Sequence, residues 1–544
     1  MIWDEIAREA ARGAFVQYTV PEPGRIPLER LLEDADGTAR AMAAALPSDG
    51  QLRIGLLMAN GEPWLRVFLA ATRLGAVAVP LAIPAGFRGL EAYNAHIARI
   101  AKDAQLDAVI FDDLVAAVIP GLQTGSGTTR FIHHAALTAD ARHPVLAPTA
   151  AEPGRLAVLQ YTSGSTSAPK GVMLTEGNIL AGLRPISYDT DWDPDTDSVG
   201  VWIPLFHDMG LFGTLAGLVR GSSVCLWTPT EFVKRPLQWL KSFAASQASI
   251  LPAPNFFFDY LTAAAADAPD AVAGLDLGSW RIAFNGSEHV RWQTIESFTE
   301  RFAPHGFRPA TMFPVYGLAE ATLPVTFPRI GELPRKRDMD RAVLGAGSGS
   351  RTVTCVGRAV SGIELRIDAD PGAGGSAVPG KALVGEVQVR GDAVTSGYLN
   401  LPASEQPFTA DGWLKTGDLG FLDESGLYIT GRAKDMIAVN GENYYAEDVE
   451  EIVRASPLLD RRHCAAVPWT DEGGRDAMLV LVETARTGDD AEKLAGALRD
   501  DINGQLGLAA VQVRALPPKS LPYTSSGKIR RRQVLADLEP GETR

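Results

Sequence analysis

Short runs of small and β-branched apolar residues alternate with longer helical patterns through the first half of the chain. Leu65–Leu74 carries Ala, Leu and Phe on one helical face, and Ala76–Pro80 follows as a Val/Ala strand. Ala101–Phe111 repeats the pair, ending in the strand Asp107-Ala-Val-Ile-Phe111. Another unit runs from Pro236 through Trp239–Ala245 to Ser249-Ile-Leu251, and Trp280–Phe284 enters a loop at Asn285-Gly-Ser-Glu288. Parallel neighbours need a crossover of a dozen or more residues, normally a helix. The alternation therefore predicts an α/β fold with parallel sheets.

The pattern changes after Arg329. A polar, Gly-rich stretch gives way to short β segments, Ile363–Ile367 and Gly385–Arg390, which predict a small antiparallel or barrel subdomain. From about Lys434 a compact α/β pattern runs on, with helices over Glu447–Ala455 and Asp490–Leu506 and a strand over Met478–Glu483. A length of 544 residues allows three or four domain-sized units. The net charge of −14 gives no global attraction to nucleic acid or anionic lipid. Cys225, Cys355 and Cys464 are far apart, so no disulfide framework is expected. The N-terminus lacks the basic and apolar regions of a signal peptide, and Leu74–Gly86 is too short to span a bilayer. These features predict a soluble, cytoplasmic protein. His133 and His134 are strand neighbours expected to point apart, which argues against a metal pair.

The segment that carries chemistry is Gln160-Tyr-Thr-Ser-Gly-Ser-Thr-Ser-Ala-Pro-Lys-Gly-Val172. An apolar strand, Leu156–Leu159, leads into it. Gly lets the backbone approach an anion, hydroxyls and N–H groups donate to it, and Lys170 adds a point charge. This suits a polyphosphate. The spacing is not that of a Walker loop.

Downstream come Trp202-Ile-Pro-Leu-Phe-His-Asp-Met-Gly-Leu211, Phe313-Pro-Val-Tyr-Gly-Leu-Ala-Glu-Ala-Thr322, Trp413-Leu-Lys-Thr-Gly-Asp-Leu-Gly420, Gly431-Arg-Ala-Lys-Asp-Met-Ile437 and Pro522-Tyr-Thr-Ser-Ser-Gly-Lys-Ile-Arg530. In this order they resemble the adenylate-forming superfamily of acyl-CoA synthetases, peptide-synthetase adenylation domains and luciferases. The resemblance covers nearly the whole chain. It implies a large N-terminal lobe, residues 1–433, of two Rossmann-like α/β subdomains plus a small β-barrel-like subdomain. A small mobile α+β C-terminal domain, residues 434–544, follows, with Lys434 as hinge.

The resemblance also implies roles. Thr162, Ser163, Gly164, Ser165, Thr166 and Lys170 would cradle ATP phosphates. Glu320, with Thr166, would hold Mg²⁺, a cation that prefers carboxylate and phosphate oxygens. Tyr316, with Gly317, Leu318 and Ala319, would meet adenine, and Asn285, Gly286 and Ser287 would close the other side of the base. Asp418 would accept from the ribose hydroxyls, and Arg432 would touch the nucleotide. Lys528 would be the mobile catalytic lysine, joined in catalysis by Lys170, Glu320 and His207. Trp202, Phe206, Met209, Phe212 and Phe256 would line an acyl channel, with Leu211, Phe257 and Phe258 nearby.

Within the superfamily, His207-Asp-Met-Gly-Leu211, Tyr316–Leu323, Phe232–Leu240 and Pro254–Tyr260 resemble the fatty acyl-AMP ligase branch. Gly357 follows Glu320 by 37 positions, a longer spacing than in acyl-CoA synthetases, and Asp340-Arg-Ala-Val-Leu-Gly345 resembles the branch's insertion. In the family that insertion restrains the small domain and disfavours coenzyme A. The implied reaction turns a fatty acid and ATP into acyl-AMP and pyrophosphate, with an acyl carrier protein's phosphopantetheine as acceptor. An acyl-CoA synthetase and an idle nucleotide-binding scaffold are the competing readings. Since the chain ends soon after Lys528, no fused carrier domain is expected, and Arg530–Arg532 is a candidate docking patch for a separate one.

Overall fold

The computed structural model describes every residue except 20–21, 49, 85–88, 126, 139–145, 147–149, 151, 163–168, 342, 345–348, 370–383, 440–441, 460–462, 471–474, 509, 524–528 and 539–544. Strand and helix alternate as the sequence predicts and build two large sheets. The first has six strands in the order Arg130–His133, Ala108–Phe111, Arg53–Leu57, Val77–Pro80, Leu156–Thr162 and Lys170–Thr175. All its pairs are parallel except the last, where the strand leading into the phosphate-loop segment turns back on itself. The second has seven strands: Met312–Pro314, Ile282–Gly286, Ile250–Pro254, Ser198–Val201, Ser223–Leu226, Phe15–Tyr18 and Gly24–Pro27. Its pairs are likewise parallel, apart from the edge hairpin.

Their buried strands are near-continuous apolar runs, as sheets covered on both faces require. Val77–Pro80 is buried at every position, and so is Ile250–Pro254. The helix Glu62–Leu74 shows why such crossovers form. Pro63 sits in its first turn, where its missing N–H costs nothing, and Gly75 closes it in the left-handed region at φ 67°. One contiguous apolar core joins the two sheets, from Ile2 to Leu427.

A four-stranded antiparallel sheet follows: Ile363–Asp368, Gly385–Gly391, Leu414–Leu422 and Leu427–Arg432. The C-terminal region has a separate core, in which Val449, Val453, Val480, Leu498 and Ile502 pack together. That core lies between the helices Ala446–Ala455 and Asp489–Leu506 and the sheet Cys464–Thr470, Asp476–Glu483 and Val511–Leu516. The polar segment after Arg335 forms a hairpin, Lys336–Asp340 with Ser350–Thr354. Among the described residues no helix is long and apolar enough to cross a membrane.

Two local expectations differ from the structure. Asn285 and Gly286 end a strand rather than open a loop, because they continue the parallel ladder opposite Ala253 and Pro254. His133 and His134 do not diverge. His134 leaves the strand in a 3-10 turn, and the two rings stack with centroids 4.8 Å apart.

Candidate active site

The four-stranded sheet supplies one half of the site. Asp418 and Arg432 are direct cross-strand partners of an antiparallel pair, which brings their side chains to one face. Arg432 Nε lies 2.7 Å from Asp418 Oδ1, and the Tyr316 hydroxyl donates to Asp418 Oδ2 at 2.6 Å. Asp418 is 6% exposed while Arg432 keeps 47% of its side chain in water. Burial first, then the Asp418 charge, pushes the Tyr316 phenol well above its ordinary pKa, so it stays a neutral donor. Tyr316 is held on a short irregular strand, Tyr316–Gly317. A β-carbon on Gly317 would lie 2.0 Å from the Leu323 carbonyl oxygen, so only glycine lets this turn close.

Glu320 lies in the next 3-10 turn, Ala319–Ala321. Its Oε1 accepts from the Tyr398 hydroxyl at 2.6 Å. The ammonium of Lys170, first residue of its strand, sits 5.0 Å from the centroid of the Tyr398 ring. Tyr398 thus joins a carboxylate and a cation that are far apart in sequence. Its own phenol is raised by burial, then by Glu320. Ser163, Gly164, Ser165 and Thr166 lie outside the described residues, as does Lys528.

The segment with His207 is fixed by two buried amides. Asn60 donates to the Ile203 carbonyl and accepts from Leu205 N–H, both at 2.9 Å. Gln160, at the mouth of the phosphate-loop segment, donates to the Phe206 carbonyl at 2.8 Å. Thr162 ends the same strand as Gln160. His207 caps the helix Asp208–Arg220, and its Nδ1 lies 2.6 Å from Asp208 Oδ1. The same Nδ1 lies 3.3 Å from the Met209 N–H, so the ring is fixed at the start of the helix.

The apolar residues divide. Phe212, Phe257 and Phe258 are fully buried core. Trp202 stacks on Phe257 and meets Phe256 edge-on, with ring centroids 5.3 and 6.1 Å apart. Met209 approaches the strand end at Gly286, where a β-carbon would lie 3.6 Å from its Cε. The Asn285 side chain is fully buried and donates to Asn255 Oδ1 at 3.3 Å, so it holds the strand end from within. Ser287 follows at φ 66°. Leu318 and Ala319 continue from Tyr316 into the turn of Glu320.

Lys434 sits in the 3-10 turn Ala433–Asp435, and burial, then Arg432, lowers its pKa. Around it the C-terminal region is fastened by ion pairs. Arg531 reaches Glu450, Glu447 and Asp435 at 2.8, 3.4 and 3.5 Å. Arg531 is therefore turned inward, which removes it from the expected basic docking patch. The hairpin after Arg335 docks on the same region. Asp448, 2% exposed, is gripped by Arg341 and by Arg351 Nε, the latter 2.8 Å from Oδ1.

Sequence reasoning missed Tyr398, Asn60 and Gln160. Gln160 has the only local signal, a buried-type strand carrying one amide just before a glycine-rich loop.

A family model of AMP-binding enzymes matches residues 6–399. The long-chain-fatty-acid–AMP ligase FadD26 of Mycobacterium marinum is 33% identical, over 88% of this chain and 86% of its own. A relative from Mycobacterium tuberculosis with a provisional fatty-acid–CoA ligase name, FadD25, is also 33% identical, over 91% of this chain and 89% of its own. A structure from work on fatty acyl-adenylate ligases of E. coli and L. pneumophila superposes with a TM-score of 0.88 at 28% identity, over 98% of this chain and 96% of that one. The chain belongs to the AMP-binding enzymes and, among them, to the fatty acyl-AMP ligases.

Proposed function

We propose that the protein activates a long- or medium-chain carboxylic acid with ATP and passes the acyl group to the phosphopantetheine thiol of an acyl carrier protein. In the first step a carboxylate oxygen attacks the α-phosphorus, the bond to the bridging oxygen breaks, and pyrophosphate leaves with that electron pair. In the second, the thiol sulfur bonds to the acyl carbon, AMP leaves and the thiol proton is released.

The carrying observation is the Tyr316–Asp418–Arg432 contact, three polar groups on one face with Asp418 accepting at both oxygens. Two ribose hydroxyls are donors of the kind this carboxylate already takes, so a nucleotide can replace its present partners. Tyr316 then offers its ring to adenine, and Arg432 is left to meet a phosphate oxygen. Lys170 stands near Tyr398 to offset phosphate charge, and Lys528 would arrive with the small domain as charge moves to the leaving group. His207, its Nδ1 tied to Asp208, presents Nε2 to the acid's carboxylate.

Glu320 offers Mg²⁺ a hard oxygen donor and lies beside the phosphate-loop strand through Tyr398, which fits the cation's usual carboxylate-plus-phosphate shell. When bound, the ion supplies charge neutralisation on the phosphates. Lys434 would be the hinge between residues 1–433 and 434–544, a reading supported by the separate C-terminal core. The grip of Arg341 and Arg351 on Asp448 supports a small domain held against the wide rotation that coenzyme A would need.

The test is incubation with ATP, Mg²⁺ and a panel of fatty acids, followed by coenzyme A or a holo carrier protein. Pyrophosphate exchange with fatty acids and acyl transfer to the carrier are expected. Rapid acyl-CoA formation would overturn the acceptor, and no exchange with any acid would overturn the enzyme.

A further inference from the structure

The aromatic cluster around Trp202 has an outer face. There, a cleft of about 400 Å³ opens between the helices Pro229–Lys234 and Pro236–Ser246, lined among others by Trp227, Glu231, Lys234, Arg235, Gln238 and Trp239. This is the size of a small-molecule site.

Its floor and its rim differ in chemistry. Trp227 and Trp239 form the floor, with ring centroids 5.4 Å apart, and Trp239 meets Trp202 edge-on at 6.3 Å. One ring therefore separates the cleft from the segment that carries His207. Trp227 is tethered, since its indole N–H donates to Ser242 Oγ at 3.1 Å. The Trp239 indole N–H has no acceptor among the described residues. Val233 and Tyr260 extend the apolar surface outward, 53% and 42% exposed, with the Tyr260 hydroxyl bonded to the Val233 carbonyl.

Two cations stand at the rim. Lys234 and Arg235 have no carboxylate within ion-pair reach among the described residues, and Arg235 touches only Gln238, at 3.4 Å. Glu231 lines the same cleft and turns its Oε2 to Thr228 and Thr19, so the cleft carries two cations against one carboxylate. Aromatic floor, exposed apolar rim and a net positive charge from Lys234 and Arg235 over Glu231 together match an amphipath with a hydrocarbon body and an anionic end. A simple anion would leave the tryptophans unused.

We propose that this cleft is a loading site for a free long-chain carboxylate, with its chain on Trp227 and Trp239 and its head on Lys234 and Arg235. The proposal rests on the proposed acid activation for its purpose, though not for binding itself. The acid held here is the substrate before it reaches the reaction centre. Loading lowers the concentration at which long acids saturate the enzyme and leaves the chemical step alone.

The test is the full-length K234E/R235E variant, assayed by pyrophosphate exchange with hexanoate and with palmitate. KM for palmitate should rise about tenfold, equivalent to about 1.4 kcal/mol of lost binding. kcat, and both constants for hexanoate, should stay within about twofold. Palmitate binding without ATP, read by tryptophan fluorescence, should weaken equally, and wild-type KM for palmitate should rise with salt. Unchanged palmitate KM and binding in the variant would overturn the site, as would an equal loss for hexanoate. If wild type binds palmitate in a Lys234- and Arg235-dependent way yet activates no acid, the activation reading fails and the carboxylate site stands.

Discussion

Asp418 and Asp448 are both buried carboxylates between two donors, and they serve opposite ends. Asp418 faces Tyr316 and an arginine that keeps nearly half its side chain in water. Asp448 faces Arg341 and Arg351, which are 10% and 3% exposed. A partner that remains hydrated can be given up at small cost, since water replaces the contact. A partner sealed from water cannot, since its charge would be left uncompensated. The first arrangement is fit to exchange its donors for a ligand; the second is fit only to hold two elements together.

The largest effect should come from Lys528→Ala. Pyrophosphate exchange should fall by about 10²-fold or more, as when a charge-stabilising donor is lost, with the circular-dichroism spectrum unchanged. Near-wild-type exchange would remove the small domain from the chemistry and leave Asp448's grip without a purpose. Next, Asp448→Asn should cost about 3–5 kcal/mol in urea denaturation of the full chain, the price of stranding two buried guanidinium groups. Asp418→Asn should cost less than about 1 kcal/mol of stability while raising KM for ATP about tenfold. Equal stability losses in the two variants would break the contrast between them.

The last effect is a pH slope. His289 lies among Arg351, Arg291 and Arg454, and burial, then these charges, lowers its pKa to about 3. Burial lowers His96 and His134 to about 4. In the unfolded chain each takes a proton below about pH 6.5 that the folded chain refuses. Stability should therefore fall as pH drops from about 6.5 toward 4. His289→Gln should flatten part of that slope in urea midpoints. An unchanged slope would mean that His289 is not held neutral in the folded chain.

Much of this was legible in the sequence because it is local. Period and turn chemistry mark the strands and helices of both large sheets, and the motif order marks Lys170, Tyr316, Glu320, Asp418 and Arg432. What was not legible depends on facing. The ring of Tyr398 links Lys170 to Glu320 only after three elements converge, and no spacing announces that. Asn285 sits in a motif yet turns inward, because ladder pairing with Ala253 fixes its side. Arg531 reads as one more cation in a basic run until Glu450 is found beneath it. His133 and His134 stack because the strand ends between them.

The hairpin that pairs Asp418 with Arg432 carries one irregularity, between Leu419 and Gly420. Strand faces alternate with every residue, so this single added position decides which face Arg432 takes. Turn length and bulge together thus act as an inherited spacer. A one-residue deletion near Asp423–Gly426 would keep every side chain of the site in the sequence and most of the sheet in place. It would still send the guanidinium to the opposite face. The contact between Asp418 and Arg432 is encoded by the count of residues between two chemical groups as much as by the groups themselves.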